Sequence, residues 1–341
     1  MNKLRSAFCW KRVAVSRAGR RLMKTLLLFA VSAGVLQARA DGTPGLTVSA
    51  NGALLYQGQP YRGVGVNYYN ALNRVLMSGT TLTYVQGFET LKTYGISVAR
   101  FDLSGFWPKY LKLYRDNPAE YFSRLDGVVA SAEQNGVGLI PSFFWTVFAV
   151  PDLVGETCNQ WGVTDSLTRQ FMRQFTRDVV SRYRDSPAIL AWEFGNEWNL
   201  ELDRPDPLSR LPTINTGSGT PATRSAADAL TIPLVRPAMI EFAELVRTLD
   251  ATRPLSTGNG LLLPYQWHLY QAVMGLLPAG VSPWATDNTE QTAEILAVLN
   301  PDPFNLISMH IYEDFSDAYY SASQQLKKPI FVGEFGVPGE G

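Results

Sequence analysis

The sequence contains few residues that form disulfides or metal centres: it has 2 cysteines and 2 histidines among 341 residues. Cys9 lies in an N-terminal segment that we expect to be removed, so Cys158 would remain alone and could not form an internal disulfide. A lone cysteine could act as a nucleophile, but only His268 and His310 could activate it, and an inert thiol is the more common case. No cluster of metal ligands is evident, so neither a metal nor another cofactor is expected.

Acidic residues are absent before Asp41, whereas the first forty positions carry nine basic residues. The apolar run "TLLLFAVSAGVL", residues 25–36, is too short to span a bilayer and leads into "ARAD". A basic region, a hydrophobic region and an A-x-A site together predict a signal peptide over residues 1–40 and a secreted or periplasmic protein. A start at Met23 and twin-arginine export through Arg20 and Arg21 remain open alternatives.

Removal of that segment leaves 21 basic against 30 acidic residues in the mature chain. A net charge near −9 argues against nucleic acid and against an anionic membrane surface as partners. No linker between domains is apparent, so residues 41–341 are interpreted as one catalytic domain, expected to be monomeric.

The chain also lacks a Gly-x-Gly-x-x-Gly or Walker-type loop after any predicted strand, which disfavours a nucleotide-binding, doubly wound open sheet. Apolar strand-like segments instead alternate with helical patterns, as in βα units covered on both faces. We predict a (βα)₈ TIM-type barrel. Its predicted strands cover residues 61–69, 97–104, 136–144, 188–197, 254–260, 305–314 and 329–336.

Other elements fit this arrangement. Asn51-Gly52 between two short apolar runs predicts a hairpin. Apolar residues at helical spacing predict three helices, which centre on residues 121–132, 167–183 and 240–249. Long connections follow Glu197 and Gly260, at strand ends where barrels of this class carry functional loops.

Polar side chains stand near the ends of the predicted apolar strands. Asn196 and Glu197 end one strand ("WEFGNEWN"), and Glu334 ends another ("FVGEFG"). Further polar groups near strand ends are Asn67, Arg100, Asp102, Asn259, His310 and Tyr312. Two carboxylates across a cleft suit glycosidic cleavage, in which one donates a proton and the other acts as nucleophile or base. Glu193 and Glu197 could instead be solvated residues after a strand.

The order of "GNE", "HIY" and "VGEFG" resembles the retaining (βα)₈ glycoside hydrolases, and most closely the family 5 type of cellulases and β-mannanases. The resemblance implies that Glu197 is the general acid/base and Glu334 the nucleophile. It also implies supporting roles for four residues. Asn196 would bind the sugar 2-OH, Arg100 and Tyr312 would contact Glu334, and His310 would lie near Glu197.

Aromatic rings at strand ends could stack on sugar faces. We predict substrate contacts from Asn67, Tyr68, Trp107, Trp145 and Trp198, with Trp145 and Trp198 as the first candidates; Trp161 lies in a loop. Packing at the end of the barrel is the alternative for each ring.

Two features depart from the family pattern. The third strand ends in "PSFFW" where the family usually has a histidine, and no eighth strand follows the seventh. The sequence therefore predicts an incomplete barrel with exposed edges. If the protein ends at Gly341, we expect low stability and little activity.

Together these features predict an exported retaining β-glycosidase, endo-acting on a β-1,4-linked polysaccharide such as cellulose, β-glucan or β-mannan. The alternative is a carbohydrate-binding barrel, or an inactive fragment, without catalysis. A serine hydrolase is disfavoured because no Gly-x-Ser-x-Gly motif is present.

Overall fold

The structure, a computed structural model, describes residues 45–312 and 317–336. The predicted signal peptide and the end of the predicted strand 305–314 lie outside the described residues. Within them, no helix is both long and apolar enough to cross a membrane.

A small antiparallel sheet begins the described chain, with strands β1 (Leu46–Val48), β2 (Leu54–Tyr56) and β3 (Gln59–Pro60). Gly52 adopts a φ of 82° in the turn between β1 and β2, so the predicted hairpin is confirmed. Leu46 packs with Ile140, Leu190 and Ala191. The hairpin is thereby attached through apolar contacts to the central strands.

Seven parallel strands follow in the described residues, each shorter than its predicted segment but inside it. They are β4 (Val66–Asn67), β5 (Val98–Asp102), β6 (Gly138–Phe144), β7 (Trp192–Gly195), β8 (Leu255–Ser256), β9 (Ile307–Ile311) and β10 (Ile330–Phe335). The first five form one sheet in chain order, and β9 pairs with β10 in a second. Every residue of β6 is buried, as expected for a strand covered on both faces.

Helices cover the outer face of these strands. They are α1 (Asn73–Ser78), α2 (Thr83–Thr93), α3 (Pro108–Asp116), α4 (Pro118–Asn135), α5 (Ala149–Val154), α6 (Leu167–Tyr183), α7 (Ile232–Leu249), α8 (Gln266–Val273), α9 (Thr289–Leu299) and α10 (Ala318–Leu326). The three helices predicted from apolar spacing correspond to α4, α6 and α7. Short 3₁₀ turns occupy Cys158–Gly162, Trp198–Leu200, Pro207–Arg210, Thr216–Ser218 and Ala226–Asp228.

The two groups of strands lie side by side without forming a continuous ladder among the described residues. The carbonyl of Leu255 on β8 accepts hydrogen bonds from the N–H groups of Asn305 and Leu306, both 3.2 Å long, just before β9. No ladder joins β10 to β4 in the part of the chain that the structure describes. The fold is therefore a partial (βα)₈-type barrel that hydrogen bonds do not close, as the sequence predicts.

Candidate active site

The carboxyl ends of five strands bring seven predicted polar residues to one end of the barrel. These are Asn67 on β4, Arg100 on β5, Asn196 and Glu197 after β7, His310 on β9, Tyr312 after β9, and Glu334 on β10. Parallel strands with a common direction place their C-terminal residues on the same rim, which explains the clustering.

Arg100 is the centre of the site and is 2% exposed. Its Nη1 donates to Oε1 of Glu334 at 2.8 Å, and its Nη2 donates to Oδ1 of Asn196 at 2.9 Å. Its Nε donates to Oε1 of Glu193 at 2.6 Å. Its Nη1 also donates to Oδ1 of Asn67 at 3.4 Å. One buried guanidinium thus contacts two carboxylates and two amides, which fixes these four side chains relative to each other.

Glu193 is a site residue that the sequence did not identify. It is 0% exposed on β7, so the interpretation as a solvated residue is wrong. Its second oxygen accepts a hydrogen bond of 2.8 Å from the hydroxyl of Ser256. A charged residue inside the apolar strand "AWEFG" was the available signal, because a buried carboxylate requires a charged partner.

Glu334 receives three hydrogen bonds from side chains. Besides Arg100, Nδ2 of Asn67 donates to Oε1 at 2.7 Å and the hydroxyl of Tyr312 donates to Oε2 at 2.7 Å. Burial, and then the bond to Glu334, raise the pKa of Tyr312 to about 12, so this hydroxyl keeps its proton near neutral pH. Asn67, predicted to bind substrate, therefore contacts the predicted nucleophile in this structure.

A bulge in β10 orients Glu334. The register of β9 against β10 shifts between Val332 and Glu334, which leaves Gly333 out of the pairing. A Cβ at Gly333 would lie 2.8 Å from Nε2 of His310, so a larger residue would collide with the histidine. Bulges often redirect a side chain next to a site, and this one turns Glu334 towards Arg100.

Glu197 has an uncommon backbone conformation, with φ 55° and ψ 25°. Its N–H donates to the carbonyl of Gly258 at 2.7 Å. Gly258 in turn approaches β7 so closely that a Cβ there would lie 1.8 Å from the carbonyl oxygen of Gly195. A non-glycine residue held in this left-handed region costs free energy and is typical of functional positions.

His310 connects the two candidate catalytic glutamates. Its Nδ1 lies 3.0 Å from Oε1 of Glu197 and 3.9 Å from Oε2 of Glu334. The hydrogen bond from His310 lowers the pKa of Glu197, as do the charges of His310 and Arg100, while partial burial acts in the opposite direction. This direction is opposite to the raised pKa that a proton donor needs, so the unliganded site favours an ionised Glu197.

The two glutamates lie close together across the site. One oxygen of Glu197, one of Glu334 and a ring nitrogen of His310 all lie within 4.8 Å of one another. Three such atoms could ligate a cation, but hydrogen bonds from Arg100, Asn67 and Tyr312 already occupy both oxygens of Glu334. Oxygens this close favour the short spacing of carboxyl groups that act by direct attack, ~5–5.5 Å, over the ~6.5–9.5 Å of inverting enzymes.

The structure places two of the four rings predicted to contact substrate, Trp198 and Tyr68, away from the site. Trp198 is 1% exposed and its Nε1 donates to the carbonyl of Phe144, so it packs in the core and cannot stack on a sugar. Trp161 is equally buried. Tyr68 points away from the site, because its hydroxyl donates to the carbonyl of Thr83 on α2.

Trp145 lies in the site but beneath it. The guanidinium of Arg100 is 4.5 Å from the centre of its ring, so Trp145 supports Arg100 and offers little free surface. Trp107 is half-buried against Phe106 and Phe148.

Tyr69 is the exposed ring next to this group. It is 51% exposed and its ring centre lies 6.4 Å from that of Trp145. Residues i and i+2 of an extended strand share a face, so the position of Asn67 could have identified Tyr69 instead of Tyr68.

No protein-family model matches the chain, but individual proteins are similar to parts of it. A probable mannan endo-1,4-beta-mannosidase F from Aspergillus flavus is 44% identical over 80 residues, which is 22% of this chain and 17% of that protein. The chain therefore aligns with less than a fifth of this curated relative.

Solved structures match more of the chain. The hyperthermostable endo-1,4-beta-D-mannanase of Thermotoga petrophila aligns with 82% of this chain and 80% of its own, at 16% identity and a TM-score of 0.52. A glycoside hydrolase family 5 mannosidase from Rhizomucor miehei aligns with 87% and 74%, at 14% identity and a TM-score of 0.51. The likeness to these structures shows the barrel fold that the resemblance to family 5 glycoside hydrolases implies.

Proposed function

We propose that this protein is an exported, retaining β-glycoside hydrolase that cleaves a β-1,4-linked glycan internally. The observation that carries the proposal is the closeness of Glu197 and Glu334, since one oxygen of Glu197 lies within 4.8 Å of one oxygen of Glu334. The curated relative and the Thermotoga structure are both named as endo-acting mannanases, which makes β-1,4-mannan the first substrate to test.

In the first step Glu334 attacks the anomeric carbon while Glu197 donates a proton to the departing glycosidic oxygen. The bond to the leaving sugar breaks and a glycosyl ester forms on Glu334. In the second step Glu197 takes a proton from water, the water attacks the anomeric carbon, and the ester bond breaks. Two inversions retain the configuration.

The neighbouring residues have separate parts in this scheme. Arg100, Asn67 and Tyr312 hold Glu334 in place through hydrogen bonds and direct it at the anomeric carbon. Oδ1 of Asn196 accepts a hydrogen bond from Arg100. The N–H groups of the Asn196 amide are therefore left to donate a hydrogen bond to a sugar 2-OH. A bound glycan would exclude water from Glu197, which is half-exposed, and so raise its pKa towards that of a proton donor.

The first experiment measures reducing-sugar release from a panel of β-1,4-mannan, cellulose and β-glucan. Glu334→Gln should abolish release, and Glu197→Gln should lower it by roughly 10²–10⁴-fold, the usual contribution of a positioned acid/base group. Glu89→Gln, the same change at an exposed position on α2, is the matched control and should retain full activity.

A second measurement tests retention. With Glu197→Ala, added azide should restore turnover and give a β-glycosyl azide, because the small anion needs no base to attack the ester. An α-linked product, or equal activity of Glu334→Gln and the unmodified protein, would refute the mechanism. Glycan binding without hydrolysis by any form would instead indicate a carbohydrate-binding barrel.

Export and a monomeric state belong to the same proposal. Export rests on the predicted signal peptide over residues 1–40, and light scattering of the purified mature protein would measure the oligomeric state.

A further inference from the structure

A buried turn at the active end of the barrel begins two residues after Arg100. It comprises residues 102–105, "DLSG", and starts at Asp102, one of the polar residues that the sequence places near strand ends. Asp102 is 1% exposed and Ser104 is 0% exposed. Side chains buried this deeply cannot touch a glycan, so two polar groups at this position need another explanation.

The carboxylate of Asp102 closes the turn. Its Oδ1 accepts hydrogen bonds from the N–H groups of Ser104 and Gly105, at 2.8 and 3.0 Å. The hydroxyl of Ser104 lies 3.0 Å from Oδ1 and 3.1 Å from the carbonyl oxygen of Gly105, so its one hydrogen goes to either acceptor. Gly105 has a φ of 72°, and a Cβ there would lie 2.3 Å from the ring of Tyr110. The shape of the turn therefore depends on glycine at 105 and on Asp102 as the acceptor.

The hydroxyl oxygen of Ser104 holds the backbone of Trp145. The N–H of Trp145 donates to this oxygen at 2.9 Å. Trp145 is the first residue after β6, so the bond joins the loop after β5 to the loop after β6 at the point where Trp145 leaves its strand.

Trp145 in turn supports the residue that binds the candidate nucleophile. Its ring centre lies 4.5 Å from the guanidinium carbon of Arg100, and a guanidinium is attracted to the face of an indole ring. Nη1 of Arg100 donates to Oε1 of Glu334 at 2.8 Å. A continuous series of contacts thus runs from Asp102 through Ser104, Trp145 and Arg100 to Glu334.

Asp102 also holds the loop on the other side of β5. Its N–H donates to the carbonyl of Tyr69 at 3.1 Å, and its Oδ2 accepts a hydrogen bond of 3.3 Å from Nδ2 of Asn73 on α1. The exposed ring of Tyr69 lies against Trp145. One turn therefore positions the loops that follow β4 and β6 relative to each other.

The charge of Asp102 is not explained by stability. Buried Glu193 and Asp152 each bind an arginine, whereas the hydrogen bonds of Asp102 come from neutral groups. In the described part of the chain, no cationic nitrogen lies within 4.0 Å of its carboxylate. A buried carboxylate without such a partner lowers the free energy of unfolding, and residues kept at this cost are typical of functional sites.

We infer that Asp102 and Ser104 are positioning residues for the proposed reaction: they hold Trp145 beneath Arg100, and thereby hold Arg100 against Glu334. Neither touches the sugar, and both act through the indole ring. This inference rests on the proposed function, because it assigns a catalytic effect at the same site.

A kinetic double-mutant cycle tests the inference on the glycan that the substrate panel identifies. Trp145→Leu removes the ring and should lower kcat per folded molecule by about tenfold, the scale of a desolvated cation–π contact, with little change in KM. Ser104→Ala displaces the ring without removing it and should lower kcat by a smaller factor. In the Trp145→Leu background, Ser104→Ala should have no further effect, because the residue through which Ser104 acts is gone. An equal factor for Ser104→Ala in both backgrounds would overturn the inference.

Two variants of Asp102 extend the cycle. Asp102→Ala removes the acceptor that closes the turn and should behave as Ser104→Ala does, whereas Asp102→Asn keeps an oxygen acceptor and should keep most of kcat. Asp102→Ala with the kcat of the unmodified protein would overturn the role of Asp102. Urea unfolding of every variant gives the folded fraction by which kcat is corrected.

Ser131→Ala is the matched control. Ser131 is also buried, but it lies near the end of α4 that leads into the start of β6, opposite the active end. This variant should leave kcat unchanged.

Nuclear magnetic resonance tests the positioning without hydrolysis. In protein labelled with ¹⁵N-arginine, the guanidinium resonance of Arg100 is assigned by its absence in Arg100→Lys, and the nearby indole ring should shift it upfield. The resonance should move in Ser104→Ala, should lose the upfield shift in Trp145→Leu, and should stay in place in Ser131→Ala. If no form hydrolyses a glycan, the proposed function fails, yet this measurement still decides the positioning: an Arg100 resonance that does not move in Ser104→Ala would overturn it.

Discussion

His310 controls the protonation of Glu197 through one hydrogen bond, and this sets a pH limit on activity. Because that bond lowers the pKa of Glu197, its removal should raise the pKa. The basic limb of kcat/KM against pH reports the acid that must be protonated in the free enzyme. His310→Ala should therefore move this limb to higher pH, although activity falls overall.

The other histidine supplies the control for this prediction. His268 contacts Asp287 at 2.6 Å and has no contact with Glu197. His268→Ala should leave the basic limb in place. A limb that stays unchanged in His310→Ala would show that another group controls it.

Glu193 should act on catalysis through Arg100. Glu193→Gln keeps the shape of the side chain but removes the negative charge that pairs with the guanidinium of Arg100, a residue that is 2% exposed. Breaking a buried ion pair of this kind costs about 3–5 kcal/mol of stability. We also expect kcat to fall more than KM rises, because Arg100 would no longer be held against Glu334; urea unfolding and steady-state kinetics measure the two effects.

A purely structural role for Glu193 would give a different result. The folded fraction would fall, but kcat per folded molecule would equal that of the unmodified protein. Ser256→Ala, which removes a neutral partner of Glu193, should give a smaller effect of the same kind.

At the scale of elements, Asp203 connects the loop after β7 to the start of α7. Its Oδ1 accepts the N–H of Ile232 at 2.8 Å, Oδ2 is buried without a partner among the described residues, and φ is 55°. Burial raises the pKa of Asp203 to about 7. The folded state therefore holds a proton that the unfolded chain loses near pH 4, and stability from this residue falls as pH rises from about 4 to 7.

Asp203→Asn should remove this pH dependence. Asparagine keeps the acceptor for Ile232, tolerates positive φ and carries no charge. We expect a gain of about 1–3 kcal/mol at pH 8 and little gain at pH 4.5, measured by urea unfolding. Asp206→Asn, at an exposed position in the same loop, should show no such difference between the two pH values.

Most helices and strands, and the polar residues of the site, could be predicted from the sequence, and the physical reason is the same for both. Buried parallel strands require continuous apolar runs, and polar residues that interrupt such runs at strand ends must face the rim. Asn196, Glu197 and Glu334 follow this rule. Side-chain direction was harder, because the adjacent residues Tyr68 and Tyr69 after β4 point in different directions. Trp198 turns into the core at the 3₁₀ turn after Glu197. The role of Glu193 depends on partners distant in sequence, Arg100 and Ser256.

On the scale of the whole molecule, the two groups of strands should differ in stability. Every residue of β6 is buried, whereas β10 is half-exposed along its length and its ladder pairs it only with β9 among the described residues. Amide hydrogen exchange followed by mass spectrometry should show faster exchange in β10 than in β5 and β6. Equal protection would indicate that the barrel unfolds as one cooperative unit.

The contacts of Glu334 also join these two groups of strands. Arg100 on β5 and Asn67 on β4 both reach across to Glu334 on β10, where no ladder of backbone bonds runs in the described chain. In the proposed reaction, formation of the glycosyl ester removes the negative charge of Glu334 and with it the ion pair to Arg100. The contacts between β10 and the strands β4 and β5 would then weaken when the intermediate forms and strengthen again when water releases the sugar. Each catalytic cycle would therefore include a small change in the spacing of these strands.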